Sequence, residues 1–183
     1  MKLDRNMKRA ILFGILILLA AMLGQPFAHG YMHPADPLIL LAAIFLPSPH
    51  ALIACGAASM AADLFKGYYM MAPITLLIKL LMVWAAKKLY AAKIGQKHPE
   101  MLASFAALIP IPCYYLAEMI FQLIQKSGWE SFALAAETLP KNFIQGAASL
   151  LLFILIHDLC QSFRGGLALA RKKQQEKEKE ENT

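Results

Sequence analysis

Tyr114, Glu118 and Gln122 recur every fourth residue inside an apolar stretch, so a helix there would carry them as one polar stripe. Asn142, Gln145 and Ser149 share a helical face in the next long apolar stretch. A carboxylate accepts hydrogen bonds from N–H or O–H groups, and an amide both donates and accepts. Two such stripes at similar depth suit a small polar, heterocyclic solute. The same groups could instead bond helix to helix and hold a bundle together. Further along the inventory, Ser59, Asp63 and Lys66 share one face, and Thr75 and Lys79 another. Lys79 falls near the middle of its apolar segment, where an unpaired cation costs roughly 2.5–3.5 kcal/mol on insertion scales. Asp63 or Glu118 is its natural partner, and a structural Asp63–Lys79 ion pair is the expectation.

The elements that must position these groups are membrane helices. Hydrophobic residues make up 58% of the 183-residue chain, against about 45–50% in a typical soluble domain, and the mean hydropathy is +0.49. The net charge of +6 does not indicate nucleic-acid binding, because the basic residues form no surface patch. They collect in gaps between apolar segments: Lys2, Arg5, Lys8 and Arg9; then Lys87, Lys88, Lys93 and Lys97; then Arg164, Arg171, Lys172, Lys173, Lys177 and Lys179. The positive-inside rule assigns all three groups, and with them both termini, to the cytoplasm.

Both termini on one side require an even number of spans. The expected architecture is all-α, a six-helix transmembrane bundle with short helices 2 and 3. One domain covers residues 1–163, and residues 164–183 form a charged cytoplasmic tail. The segments run from about Lys8 to Pro26, Leu38 to Leu46, Ala51 to Phe65, Pro73 to Leu89, Leu102 to Ile124 and Lys141 to Phe163. The second is too short to cross about 30 Å of hydrocarbon, so it and the third read as a bent pair split at Pro47 and Pro49. Pro110 and Pro112 predict a kink in the fifth. A short helix at Glu130–Ala136 fits the loop before the sixth. The first segment also has the look of a cleavable leader ending at Ala28-His29-Gly30, but the count of spans favours its retention.

Other chemistry has little support. No phosphate-binding GxxxxGK[ST] loop, GxSxG elbow or zinc-ligand spacing occurs, and Cys55, Cys113 and Cys160 form no CxxC pair. No enzyme activity, metal or cofactor is expected. Ala10 and Gly14 form a small-xxx-small pair that could pack internally or meet a partner subunit. The polar loop with Tyr31, His33 and Asp36 could lie over a cavity or remain a solvated loop.

Several stretches in succession resemble the substrate-binding S component of energy-coupling factor (ECF) transporters, in the riboflavin/hydroxymethylpyrimidine/pyridoxine-like branch. They are residues 31–36 (YMHPAD), 58–68 (ASMAADLFKGY), 72–79 (APITLLIK), 115–118 (YLAE) and 139–145 (LPKNFIQ). The resemblance spans roughly residues 8–163. It implies capture of a water-soluble vitamin or precursor from outside the cell. It also implies partnership with a membrane coupling (T) subunit and two cytoplasmic ATPases in the lipid bilayer. Substrate binding would fall to Glu118, Asn142 and Gln145, with Tyr114 or Tyr115 stacking on a ring and Tyr31 and His33 covering the site. Ala10 and Gly14 would meet the coupling subunit. Two departures stand out: Ala35 occupies a position where glycine is expected, and Gln145 one where some relatives carry lysine. The second leaves the substrate open. The alternative is a stand-alone carrier or intramembrane enzyme using Glu118 and Lys79.

Overall fold

The computed structural model describes residues 4–26, 31–125 and 128–181. The proposed leader-cleavage site at Ala28-His29-Gly30 lies outside the described residues. The first helix, α1 (Arg5–Met22), starts at Asp4, whose side chain accepts a 2.6 Å hydrogen bond from the Met7 amide and so satisfies one of the free N–H groups of the first turn. A two-residue antiparallel pair follows: β1 (Gln25–Pro26) against β2 (Tyr31–Met32). The chain on either side of residues 27–30 is therefore extended and paired, Gln25 with Met32 and Pro26 with Tyr31, and we refer to this strand pair as the hairpin.

Helix α2 (Asp36–Phe45) has only 10 residues, about 15 Å of rise. An extended corner at Leu46-Pro47 leads into α3 (Ser48–Phe65), which carries Pro49 in its first turn. That placement costs no hydrogen bond, because the N–H it removes has no helical partner there. The helix consequently begins three residues before the sequence expectation. Gly67, at φ +83°, takes a conformation that a Cβ would strain. It turns the chain into α4 (Ala72–Ala91). The single-turn α5 (Ile94–Lys97) links α4 to α6 (Pro99–Leu108).

The break expected from Pro110 and Pro112 lies at Ile109, where α6 gives way to α7 (Pro110–Gln125). Helix α8 (Trp129–Ala136) bridges to α9 (Leu139–Glu181). Helix α9 passes through position 163 without interruption, so the backbone of the charged tail is helical as far as Glu181.

The bundle turns large apolar side chains outward and keeps its buried ionisable groups inside, within a core that is itself mostly apolar. Ile11, Leu12 and Leu19 on α1, Ile53 on α3, Leu77 and Trp84 on α4, Ile120 on α7 and Leu151 on α9 are exposed. Asp36, Asp63, Lys79, Glu118, Asn142 and Gln145 are buried. A water-soluble fold of this size would reverse that distribution, whereas a lipid-embedded one turns its ionisable groups inward. Pro99–Gln125 and Trp129–Phe163 are long and apolar enough to cross a bilayer. Together these features make an all-α transmembrane bundle of six principal helical segments: α1, α2, α3, α4, the broken α6–α7 and α9.

Small residues set the close crossings. Helix α3 lies against α1, where Gly14 faces the backbone oxygen of Ala54; a Cβ at Gly14 would sit 3.8 Å from it. Helix α9 approaches α6 at Gly146, where a Cβ would lie 3.3 Å from the carbonyl oxygen of Ala107. Backbone cannot step aside as a side-chain tip can. Gly146→Leu is therefore expected to force α6 and α9 apart at a cost of about 1–3 kcal/mol. A lowered thermal midpoint in detergent would show this, and an unchanged one would mean the two helices do not meet there.

Candidate functional site

The buried polar groups converge at the end of the bundle that holds the β1–β2 hairpin, the α3–α4 turn and the start of α9. Asp36, the first residue of α2, is the hub. One carboxylate oxygen accepts a 2.6 Å hydrogen bond from Lys79 Nζ of α4. The other accepts a 2.9 Å bond from Gln145 Nε2 of α9. The Gln145 carbonyl oxygen in turn accepts from the backbone N–H of His33 at 3.3 Å. Lys79 is fully buried and Asp36 is 2% exposed. An ion pair that deep repays its desolvation only with close geometry and further hydrogen bonds, and Gln145 supplies one.

The sequence expectation of an Asp63–Lys79 pair is corrected by this arrangement. Asp63 is buried within electrostatic reach of Lys79, but Asp36 is the residue that bonds it. The lysine stands 43 positions from that partner, and helical periodicity relates only residues on the same helix. The sequence did carry a signal. Asp36 precedes Pro37 at the start of an apolar helix, where a carboxylate also favours the helix dipole. Its assignment to a loop over the site hid it.

The α7 stripe folds as expected. Gln122 Nε2 donates to Glu118 Oε1 at 2.8 Å, and Glu118 is buried. Tyr114 donates its hydroxyl to Thr75 Oγ1 at 3.2 Å, and Lys79 Nζ stands 5.8 Å from the centre of the Tyr114 ring, within reach of a cation–π attraction. Tyr115 is half-buried and, one residue on, projects about 100° around the helix from Tyr114. On α9, Gln145 has both ends of its amide occupied. Asn142, one turn earlier, is 6% exposed, and its Nδ2 has no hydrogen-bond partner among the described residues. Lys141 is also buried, within electrostatic reach of Glu118 and Asp63. The sequence reading missed it as a site residue, although it sits inside the LPKNFIQ stretch.

His33 is half-buried at the end of the hairpin, and its Nδ1 accepts a 3.2 Å bond from the Ala35 N–H. That bond needs an unprotonated Nδ1. Burial, with Lys79, Lys66 and Lys141 nearby, outweighs the attraction of Asp36 and lowers the His33 pKa to about 4. The backbone of Tyr31 is in β2, but its side chain lies outside the described part of the structure. Ala10 and Gly14 line an apolar groove of about 390 Å³ between α1 and α3, on a different part of the bundle from the polar cluster.

An apolar exterior around a buried network of carboxylate, amide, hydroxyl and ammonium groups defines a membrane protein equipped to hold a small polar solute. The family profile described as "ECF-type riboflavin transporter, S component" matches residues 6–161. The chain belongs to that family, and it is a substrate-binding subunit of an energy-coupling factor transporter. A solved S component of a bacterial ECF transporter has the same fold, with a TM-score of 0.70 at 15% sequence identity over 87% of this chain and 96% of that one. No curated protein sequence matches the chain.

Two outcomes test the network. Lys79→Met strands the Asp36 carboxylate in the interior and is expected to cost about 3–5 kcal/mol. The Asp36→Asn/Lys79→Met double variant should recover most of that loss, as a double-mutant cycle on thermal unfolding would show. For His33 the folded-state pKa lies below the unfolded value of about 6.5. The unfolded chain therefore binds more protons between these values, and stability falls as pH drops from about 6.5 toward 4. His33→Asn should flatten that part of the midpoint-versus-pH curve.

Proposed function

We propose that this chain captures riboflavin, or a vitamin with a closely similar hydrogen-bonding edge, from outside the cell. A membrane coupling subunit and two cytoplasmic ATPases would then drive its uptake. The observation that carries the reading is the buried Asn142 amide, whose N–H donor has no partner among the described residues, whereas most buried polar groups are paired. A solute carbonyl would satisfy it. Glu118, 7% exposed, supplies a carboxylate that can accept from a ring N–H or a hydroxyl. An isoalloxazine ring offers carbonyl oxygens and an imide N–H along one edge, so it matches both groups. The family description names riboflavin, in line with this chemistry.

In this reading the hairpin with Tyr31 and His33 covers the substrate, and Tyr114 or Tyr115 borders its ring. Gln145 ties the loop to the site, with one amide N–H on Asp36 and its carbonyl oxygen accepting from the His33 backbone, and its second N–H can still meet the solute. Ala10 and Gly14 present the α1–α3 groove to the coupling subunit. Both termini face the cytoplasm, on the grounds of the basic clusters, and residues 164–183 form the cytoplasmic extension of the single transmembrane domain. A stand-alone carrier or intramembrane enzyme working through Glu118 and Lys79 finds less support, because Lys79 is held by Asp36 at 2.6 Å.

Titration of the purified protein with riboflavin, followed by quenching of flavin fluorescence, tests the proposal. Wild type should bind, and Asn142→Ala or Glu118→Ala should weaken binding about tenfold, as expected for a buried hydrogen bond worth roughly 1.5 kcal/mol. The ligand-free thermal midpoint should hold in both variants. Unchanged affinity in both would remove these residues from the site. A wild-type protein stabilised by pyridoxine or a thiamin precursor, and not by riboflavin, would redirect the substrate assignment.

A further inference from the structure

Among the described residues, three buried side-chain atoms make no hydrogen bond: Asn142 Nδ2, Ser59 Oγ and His50 Nδ1, the last at the opposite end of α3 from the polar cluster. Ser59 on α3 is 4% exposed, and its hydroxyl makes no hydrogen bond among the described residues. A helical serine usually resolves this by bonding the carbonyl one turn earlier, and Ser59 does not. Burying a hydroxyl without a partner is unfavourable, so the position calls for an explanation.

Its place in the bundle supplies one. Gly56, Ser59 and Asp63 share a face of α3 at spacings of three and four residues. That face meets α4, since a Cβ at Gly56 would lie 2.7 Å from Leu76 Cδ1 and 3.1 Å from Leu80 Cδ2. Helices α3 and α4 run antiparallel about the turn at Gly67. Ser59, one turn closer to Gly67 than Gly56 is, therefore lies level with Thr75, the residue that accepts from the Tyr114 hydroxyl. One turn further toward Gly67, Asp63 is within electrostatic reach of both Lys79 and Lys141, and Lys141 directly precedes Asn142. Ser59 thus belongs to the same polar layer as the α4, α7 and α9 groups.

We propose that Ser59 is a substrate-contacting residue that sets specificity from the α3 side of the polar cluster. Its hydroxyl hydrogen-bonds a polar edge of the solute other than the one held by Asn142. Asn142 and Ser59 would then select a ligand with hydrogen-bonding atoms on two sides of a planar ring system and would discriminate against analogues in which one edge is apolar. The inference rests on the proposed substrate chamber but adds a residue and a helix to it.

Ser59→Ala provides a test with opposite signs for the two possible roles. A hydroxyl reserved for ligand loses nothing in the free protein when removed, so the ligand-free thermal midpoint should stay unchanged or rise, while the riboflavin dissociation constant increases about tenfold. A hydroxyl that holds the bundle together gives the reverse, a lower ligand-free midpoint and an affinity within twofold of wild type. Either half of that reverse result overturns the proposal. Absence of riboflavin binding by wild type counts against the proposed function. The ligand-free midpoint of Ser59→Ala still decides the present inference in that case, because a fall would show the hydroxyl to be engaged within the protein.

Discussion

The Asp36–Lys79 contact is the constraint on which the rest of the interior depends. A lysine near mid-span is tolerated in lipid only with a counter-charge and further hydrogen bonds around it. Asp36 meets that need from the start of a helix too short to span the membrane. Its second oxygen then recruits Gln145, and Gln145 recruits the His33 backbone. One buried charge pair thereby fixes the positions of α2, α4, α9 and the hairpin relative to each other. Once these are fixed, Asn142 stands one turn from Gln145 on α9 and Glu118 stands on the facing stripe of α7. Among the described residues the network runs from Asp36 through Gln145 to the His33 backbone and does not include the Asn142 Nδ2 group.

The polar interior also bears on the proposed choice of substrate in physical terms. Asp36, Asp63 and Glu118 share the buried region with Lys79 and Lys141. Lys79 is committed to Asp36, and Lys141 faces the two other carboxylates. A ligand bearing a phosphate would meet cations already engaged and acids that repel it. An uncharged ring with donors and acceptors meets groups of matching type. Gln145 in place of a lysine points the same way, because it brings hydrogen bonds without a fixed charge.

Much of the fold could be read from the chain because lipid imposes a simple rule on it. Apolar runs, prolines and basic gaps located the main helices within a few residues and placed the break between α6 and α7. The stripe Tyr114–Glu118–Gln122 was legible for the same reason: periodicity of four on a single helix is local. What could not be read was pairing across helices. Lys79 has acidic candidates in three different segments, and periodicity offers no way to choose among them. Asp36 escaped attention because its run of neighbouring prolines suggested a loop, whereas Pro37 sits in the first turn of α2 and starts the helix. The length of α9 was understated because its last turns are charged, and a helix that leaves the bilayer no longer needs an apolar face. Ser59 was visible as one member of a polar face, but only the three-dimensional packing shows that its hydroxyl is unbonded.

Lys87 extends the role of α4 beyond Lys79. Its Nζ donates to the carbonyl oxygens of Ala43 at 2.9 Å and Leu46 at 2.6 Å, closing the C-terminal end of α2. Helix α4 thus grips the short helix at both ends, eight residues apart on its own length. The two helices must travel as one rigid body, since separating them would break a buried ion pair and uncap a helix terminus together. Of the basic residues around the end of α4, Lys87 is tied to backbone carbonyls, Lys88 Nζ stands 5.8 Å from the centre of the Trp84 ring, and Lys93 and Lys97 are exposed.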